Sequence, residues 1–177
     1  MNDKALFTIS CGLYVVGVRN GEGYGGCIVD AFIQSTNFPA TVILCSQKHT
    51  RTNECIKETG EFSVSVLREE VDPLTVSIFG FQSTRHMQKW PHVPHVFQRD
   101  LPVLQETAAW YVCKVIHTYE MATHTLFHCE LLESEIGEGT PLTYGHYRAH
   151  MRHATAAAFQ EFKKRHAPAP AVEAEAK

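Results

Sequence analysis

Two long alternating runs, AAWYVCKVIHTYEM (108–121) and HTLFHCELLESEI (124–136), constrain the fold more than any other feature of the chain. Apolar and polar residues exchange at a period of two, and only a few residues around ATH (122–124) join the runs. That pattern predicts two long strands paired as a hairpin. A sheet with such a hairpin needs further strands to cover it. LYVVGV (13–18), CIV (27–29), ATVILC (40–45) and EFSVSVL (61–67) supply shorter ones, the last with one wet face, and RNGEG (19–23) supplies a turn.

Helices punctuate this β pattern without a strict βαβ alternation. DKALFTISCG (3–12) can start a short helix with Asp3 as N-cap and Gly12 as its stop. QKHTRTNECIKETG (47–60) reads as a loop, then a helix capped by Thr50 or Thr52 and ended at Gly60. DPLTVSIFG (72–80) has Asp72 as N-cap, Pro73 at the first helical position and Gly80 at the end. STRHMQKW (83–90) predicts another helical turn, and WPHVPHVFQRDLP (90–102), with three prolines and no period, a loop or edge. TAAAFQEFKKRH (155–166) is expected to be helical. Many short strands with helical excursions argue for a mainly β fold with short helices, a β-barrel rather than a doubly wound parallel sheet. One domain over 1–153, a C-terminal helix over 154–165 and a disordered Pro/Ala/Glu tail over 166–177 are the expected divisions.

The net charge of −3 leaves no basic footprint for nucleic acid. No apolar run reaches the ~20 residues of a bilayer span, and MNDKALF carries early charges of both signs, so neither a membrane segment nor a signal peptide is expected. Six cysteines without a C-x-x-C pair predict buried free thiols in a reducing cytoplasm. Cys113 with His117 and Cys129 with His128 are weak nucleophile candidates, because nothing orients the first pair and strand neighbours face opposite sides in the second. His146, His150 and His153 share a helical face, with His92 and His95 elsewhere, but without H-E-x-x-H or nearby carboxylates no metal site is expected.

The stretch 30–39, DAFIQSTNFP, is longer than a hairpin turn needs and crowded with donors and acceptors. Next, QKHTRT (47–52) sets Lys48, Thr50, Arg51 and Thr52 ahead of a helix, a plausible phosphate seat without any G-x-G-x-x-G or P-loop signature. PLTYGHY (141–147) groups two tyrosines and a histidine, suited to a planar ligand or to a dimer interface.

The blocks KALFTISCGLYVV, EFSVSVL, SIFGFQSTRHMQKW, THTLF and PLTYGHY, in this order over roughly residues 4–148, resemble the flavin-reductase-like family with its FMN-binding split barrel. Within that family they are most similar to the flavin domain of high-molecular-weight rubredoxins. The resemblance implies that the 30–39 loop wraps the flavin through Asp30, Ala31, Phe32, Ile33 and Gln34, and that Lys48, Thr50, Arg51 and Thr52 take the phosphate. It places Ser83 and Arg85 of FGFQSTR, and Tyr144 and His146 of YGHY, near the flavin, and His124 near the nicotinamide. It implies FMN, or FAD, as cofactor, NADH or NADPH as hydride donor, a homodimer, and free flavin or a separate electron-acceptor protein as recipient. A flavin-binding electron carrier and a haem-binding split barrel are the alternatives. Departures from the family pattern fall at Ala31, at Pro39-Ala40 and at His128-Cys129. No C-x-x-C iron module accompanies the domain, so the acceptor is expected to be separate or diffusible.

Overall fold

The computed structural model describes residues 2–166. Residues 167–177, on which most of the tail expectation falls, lie outside the described residues. The strands, in chain order, are β1 (Tyr14–Asn20), β2 (Gly23–Val29), β3 (Phe32–Asn37), β4 (Ala40–Gln47), β5 (Glu61–Val66), β6 (His95–Gln98), β7 (Leu101–Leu104), β8 (Ala109–Glu120) and β9 (His124–Ile136). Seven form one antiparallel sheet in the order β2-β1-β5-β8-β9-β4-β3. Its two outer strands, β2 and β3, are separated by only Asp30 and Ala31, so covalent chain, not a hydrogen-bonded ladder, joins the ends of the sheet. The fold is a mainly β split barrel. At the seam the Cys45 amide donates to the Ala31 carbonyl at 2.9 Å.

The barrel interior packs Val16, Val18, Leu44, Phe62, Val64 and Phe127, with Ile56 and Cys55 of helix α1 (Arg51–Thr59). A second core lies outside the barrel wall, where Val15, Leu13 and Leu67 meet Ile78 and Phe79 of α2 (Pro73–Phe81) and Trp90. Val15 and Val16 are therefore both buried although they point to opposite faces of β1.

The same double cover corrects the wet face expected of EFSVSVL. Ser63 and Ser65 are buried beneath the β6–β7 ribbon: Ser63 donates to the Pro102 carbonyl at 2.5 Å, and Ser65 accepts from the Leu104 amide at 3.0 Å. Small hydroxyls fit where one strand crosses closely over another. That ribbon is itself a departure from the loop expected over 90–102. Arg99 and Asp100, with φ of 47° and 61°, make a two-residue turn of the kind that matches strand twist. Asp100 is held there by Arg19 Nε at 3.0 Å and Tyr24 Oη at 2.9 Å.

The polar stretch 30–39 is an edge strand and turn, not a wrapping loop. β3 pairs with β4, with a register shift between Gln34 and Thr36. Its hydroxyls bond to each other and to the neighbouring strand: Ser35 to Thr41 at 2.7 Å, Thr36 to Thr41 and to the Pro39 carbonyl at 2.5 Å. Only Phe32 in β3 is buried. The residues 83–89 form a turn without a helix, and a 3-10 turn follows at Trp90–His92. At the N-terminus a 3-10 helix, Asp3–Thr8, is capped by Asn2 rather than Asp3. α2 has the expected Asp72 cap, accepting from the Leu74 amide at 2.8 Å, but runs through Gly80 to Phe81. The described residues end in α3 (Tyr144–His146), a wider π turn (Tyr147–Met151) and α4 (Arg152–Arg165), which packs on α2 through Phe81 and Phe159, 5.4 Å between ring centres.

Candidate functional site

A cavity of about 540 Å³ opens where the barrel is split. Its walls are β2 from Gly26 on, the end of β4, the first turn of α1, the end of α2 with Ser83 and Thr84, and the two tyrosines Tyr144 and Tyr147. Gly26 is required here: a Cβ at this position would collide with the Val16 carbonyl and press on the Phe79 ring. Thr84 fixes the same strand, its hydroxyl accepting from the Gly26 amide at 3.2 Å and donating to the Gly26 carbonyl at 3.1 Å.

The polar end of the cavity is the start of α1. Thr50 is the N-cap; its hydroxyl accepts from the Asn53 amide at 3.2 Å and donates to the Gln47 carbonyl at 2.9 Å. Gly60 closes the helix at φ 73°. The amides of Arg51 and Thr52, in the first turn, have no intrahelical partner and carry the positive end of the helix dipole. Asn53 ties this turn to β4 by donating to the Ser46 carbonyl at 3.1 Å. Ser46 is among the lining residues, and its hydroxyl is buried with no hydrogen-bond partner among the described residues.

Arg51 is clamped. Its guanidinium donates to Asn20 Oδ1 at 2.9 Å, to both oxygens of Glu58 at 2.7 and 3.0 Å, and to Glu54 at 3.2 Å. Glu58 and then Glu54 raise its pKa further above the ordinary arginine range. Arg85 and Arg51 in turn hold the Glu54 carboxyl below its usual range. Beside this end, His124 begins β9 opposite Gln47 of β4, and its Nδ1 lies 2.8 Å from the Thr123 hydroxyl, which leaves Nε2 as the nitrogen that can meet a ligand. Tyr144 and Tyr147 stack at 6.0 Å and 13°, and form an aromatic wall.

Of the residues singled out in the sequence, Asp30, Thr50, Arg51 and Thr52 line this cavity together with Ser83, His124 and Tyr144. Ala31, Phe32, Ile33 and Gln34 do not. The Ala31 carbonyl is engaged at the seam, Phe32 packs inward against Tyr14 and Tyr111, Ile33 faces outward, and Gln34 bonds to Asn37 at 2.8 Å. Alternation along an edge strand explains this, since successive side chains cannot all face one ligand. Lys48 is also outside the lining; it pairs with Glu120 at 2.9 Å, and Lys57 joins it at 2.6 Å, which together hold that carboxyl at about 2. Arg85 pairs with Glu54, and His146 Nδ1 lies 3.1 Å from Glu69.

Sequence reasoning missed Ser46, Cys27 and Lys89, and did not single out Phe79 and Thr84 within FGFQSTR, all in the lining; Tyr147, the second tyrosine of PLTYGHY, lines it as well. The paired glycines 25–26 were the available signal for a close approach. Nothing marked Lys89, since a lysine among polar residues ordinarily faces solvent. Among the described residues no three His, Cys, Asp or Glu side chains gather as a metal site. All six cysteines are free. Burial pushes the Cys129 thiol up to about 12 and Cys113 well above its usual value, as core residues rather than nucleophiles. No helix among the described residues is long and apolar enough to cross a membrane.

Comparison with known proteins agrees with this architecture. The high molecular weight rubredoxin of Moorella thermoacetica is 30% identical over 150 residues, 83% of this chain and 66% of the relative. The ferric-chelate reductase (NAD(P)H) of Archaeoglobus fulgidus is 31% identical over 83% of this chain and 89% of its own. The styrene monooxygenase flavin reductase SMOB of Pseudomonas putida S12 superposes with a TM-score of 0.71 at 27% identity, covering 81% of this chain and 91% of that one. A family model described as flavin reductase like domain matches residues 6–154, and the chain belongs to that family.

Proposed function

We propose that this chain is an FMN-dependent oxidoreductase that takes reducing equivalents from NADH or NADPH and delivers them to free flavin or to a separate electron-acceptor protein. The observation that carries the reading is the polar end of the cavity. The free amides and the Thr50 cap of α1 stand there beside Ser46, whose buried hydroxyl is unpartnered, while the rest of the lining is partly aromatic and apolar. A phosphate needs the first environment and a tricyclic ring the second. The cavity volume is that of a cofactor site. Relatives named as NAD(P)H-dependent and NADH-dependent reductases support the donor.

Bound FMN would supply the two-electron chemistry. The chain supplies position. Thr50, Arg51 and Thr52 would seat its phosphate through amides and hydroxyls, and Val29, Asp30, Ser83 and Thr84 would hold the rest of the flavin. Tyr144 with Tyr147 would limit water in the cavity. His124 orients the nicotinamide through Nε2; it touches the incoming donor and transfers no proton in the hydride step. A two-fold dimer completes the pocket, since Phe81 belongs to the lining yet is 47% exposed. Titration of the purified protein with FMN, followed by flavin fluorescence and absorption, tests the binding step. Stoichiometric, saturable binding is expected; a Soret band on the isolated protein, or no flavin binding, would remove the reading.

A further inference from the structure

Lys89 is 1% exposed, yet it lines the cavity. Its ammonium group donates to the Gly26 carbonyl at 2.7 Å and to the Phe79 carbonyl at 3.3 Å, and lies 5.7 Å from the centre of the Phe79 ring. Two of its three protons are thereby used. No carboxylate among the described residues lies within ion-pair distance of it.

The groups facing Lys89 come from several elements. β2 presents the Cys27 thiol, which burial pushes up against smaller opposing influences of Thr52 and Lys89. α2 presents only the Phe79 carbonyl and ring. Elsewhere around the cavity stand Asp30, Arg51, His49 and His124. Gly26, whose carbonyl Lys89 holds, and the next residue Cys27 line the same cavity as Thr50, Arg51 and Thr52 of the polar end described above.

Charge is distributed unequally at that end. Arg51 is shared by Glu54 and Glu58, Arg85 by Glu54, and Lys48 by Glu120. Each of these cations already has its anion. Lys89 alone among them is buried without one, an arrangement that costs stability unless something negative arrives. Resting on the flavin reading above, we infer that Lys89, and not Lys48 or Arg51, supplies the uncompensated positive charge to the phosphate of bound FMN. Its protonation is then linked to phosphate binding.

Burial lowers the Lys89 amine to about 8, with Cys27 a smaller opposing influence. Without ligand, the charged form is therefore less favoured than in an exposed lysine, although it still predominates below pH 8. Stability should rise as pH climbs from about 8 toward the ordinary lysine value, because the unfolded chain binds the extra proton there. An arriving phosphate favours the ammonium. At pH 8 FMN binding should draw up about half a proton per flavin, and almost none at pH 6.5, where the amine is already charged. The phosphate itself is doubly ionised at pH 8, since its second pKa is about 6, and contributes no exchange there.

Calorimetry of the full chain with FMN and with riboflavin, in two buffers of different ionisation enthalpy, measures both affinity and proton uptake. In Lys89→Met, FMN should bind about tenfold or more weakly at pH 7, the loss of one charge-assisted contact, while riboflavin changes by less than about twofold. Lys48→Ala should leave the FMN-to-riboflavin ratio within about twofold of wild type. Equal losses of the two flavins in Lys89→Met would overturn the assignment. If that variant does not fold, the wild-type measurement decides: FMN binding at pH 8 without proton uptake overturns it, and uptake seen equally with riboflavin does so too. Wild-type protein that binds neither flavin defeats the reading of the site as a whole, and the role of Lys89 with it.

Discussion

At the scale of single residues, the side chains around the cavity come to it already engaged with one another. Arg51 is held by three partners and Lys48 is drawn away to Glu120, so the amides and hydroxyls of the seat matter as much as its formal charges. His124 is the exception on the open side, with one ring nitrogen fixed by Thr123 and the other free to meet a ligand. His124→Ala should leave FMN affinity within about twofold but slow reduction by NADH or NADPH about tenfold at subsaturating nucleotide, the equivalent of one lost hydrogen bond. Stopped-flow reduction beside a melting curve checks this. An unchanged rate removes His124 from the mechanism, and loss of FMN would place it under the flavin. Thr50 and Arg51 could be found in the sequence because a cap and a cation ahead of a helix form a local pattern. Lys89 could not, because its burial is produced by contacts with β2, far away in the chain, and Ser46 could not, because one small hydroxyl within an apolar strand leaves no local mark.

Among the elements, α1 joins fold and site most directly. Its N-cap ends β4, its first turn faces the cavity, and Cys55 and Ile56 sit in the barrel core. Thr50→Ala removes the hydroxyl that accepts from Asn53, at a cost of ~1 kcal/mol, or a melting temperature lower by about 2–4 °C. The same change should weaken FMN severalfold through the loosened turn, whereas a surface threonine such as Thr118 changed to alanine should do neither. Thermal melts and FMN titration of the two variants measure it. The helices with cap and stop signals, 50–60 and 72–80, were legible within a residue or two, and so was the long hairpin. β3 and the β6–β7 ribbon were not. β3 is an edge strand whose polar groups are satisfied by each other, so it lacks apolar alternation. The ribbon carries prolines and a turn at Arg99-Asp100 without glycine, which hides the usual hairpin signal.

On the scale of the whole molecule, the sheet order leaves β2 and β3 as the ends of the sheet joined by two residues, and the cavity lies between β2, the end of β4 and the first turn of α1. Strand order was beyond the sequence, since it depends on pairings such as β4 with β9 across some eighty residues; it was the family resemblance, not the periodicity, that implied a split. Leu6, Phe7 and Ile9, each more than 60% exposed, and Phe81 at the cavity edge leave an apolar surface near the opening. Sedimentation at micromolar concentration should give twice the chain mass; a monomer that retains flavin would refute the dimer. The central claim is that this cavity holds a flavin which a nicotinamide can reduce. Its most direct test is anaerobic addition of NADH and of NADPH to the FMN-loaded protein, with the flavin absorption followed in time. The account predicts that at least one of the two bleaches the flavin within seconds and that oxygen or added free flavin restores the colour. A bound flavin that neither nucleotide bleaches would contradict it.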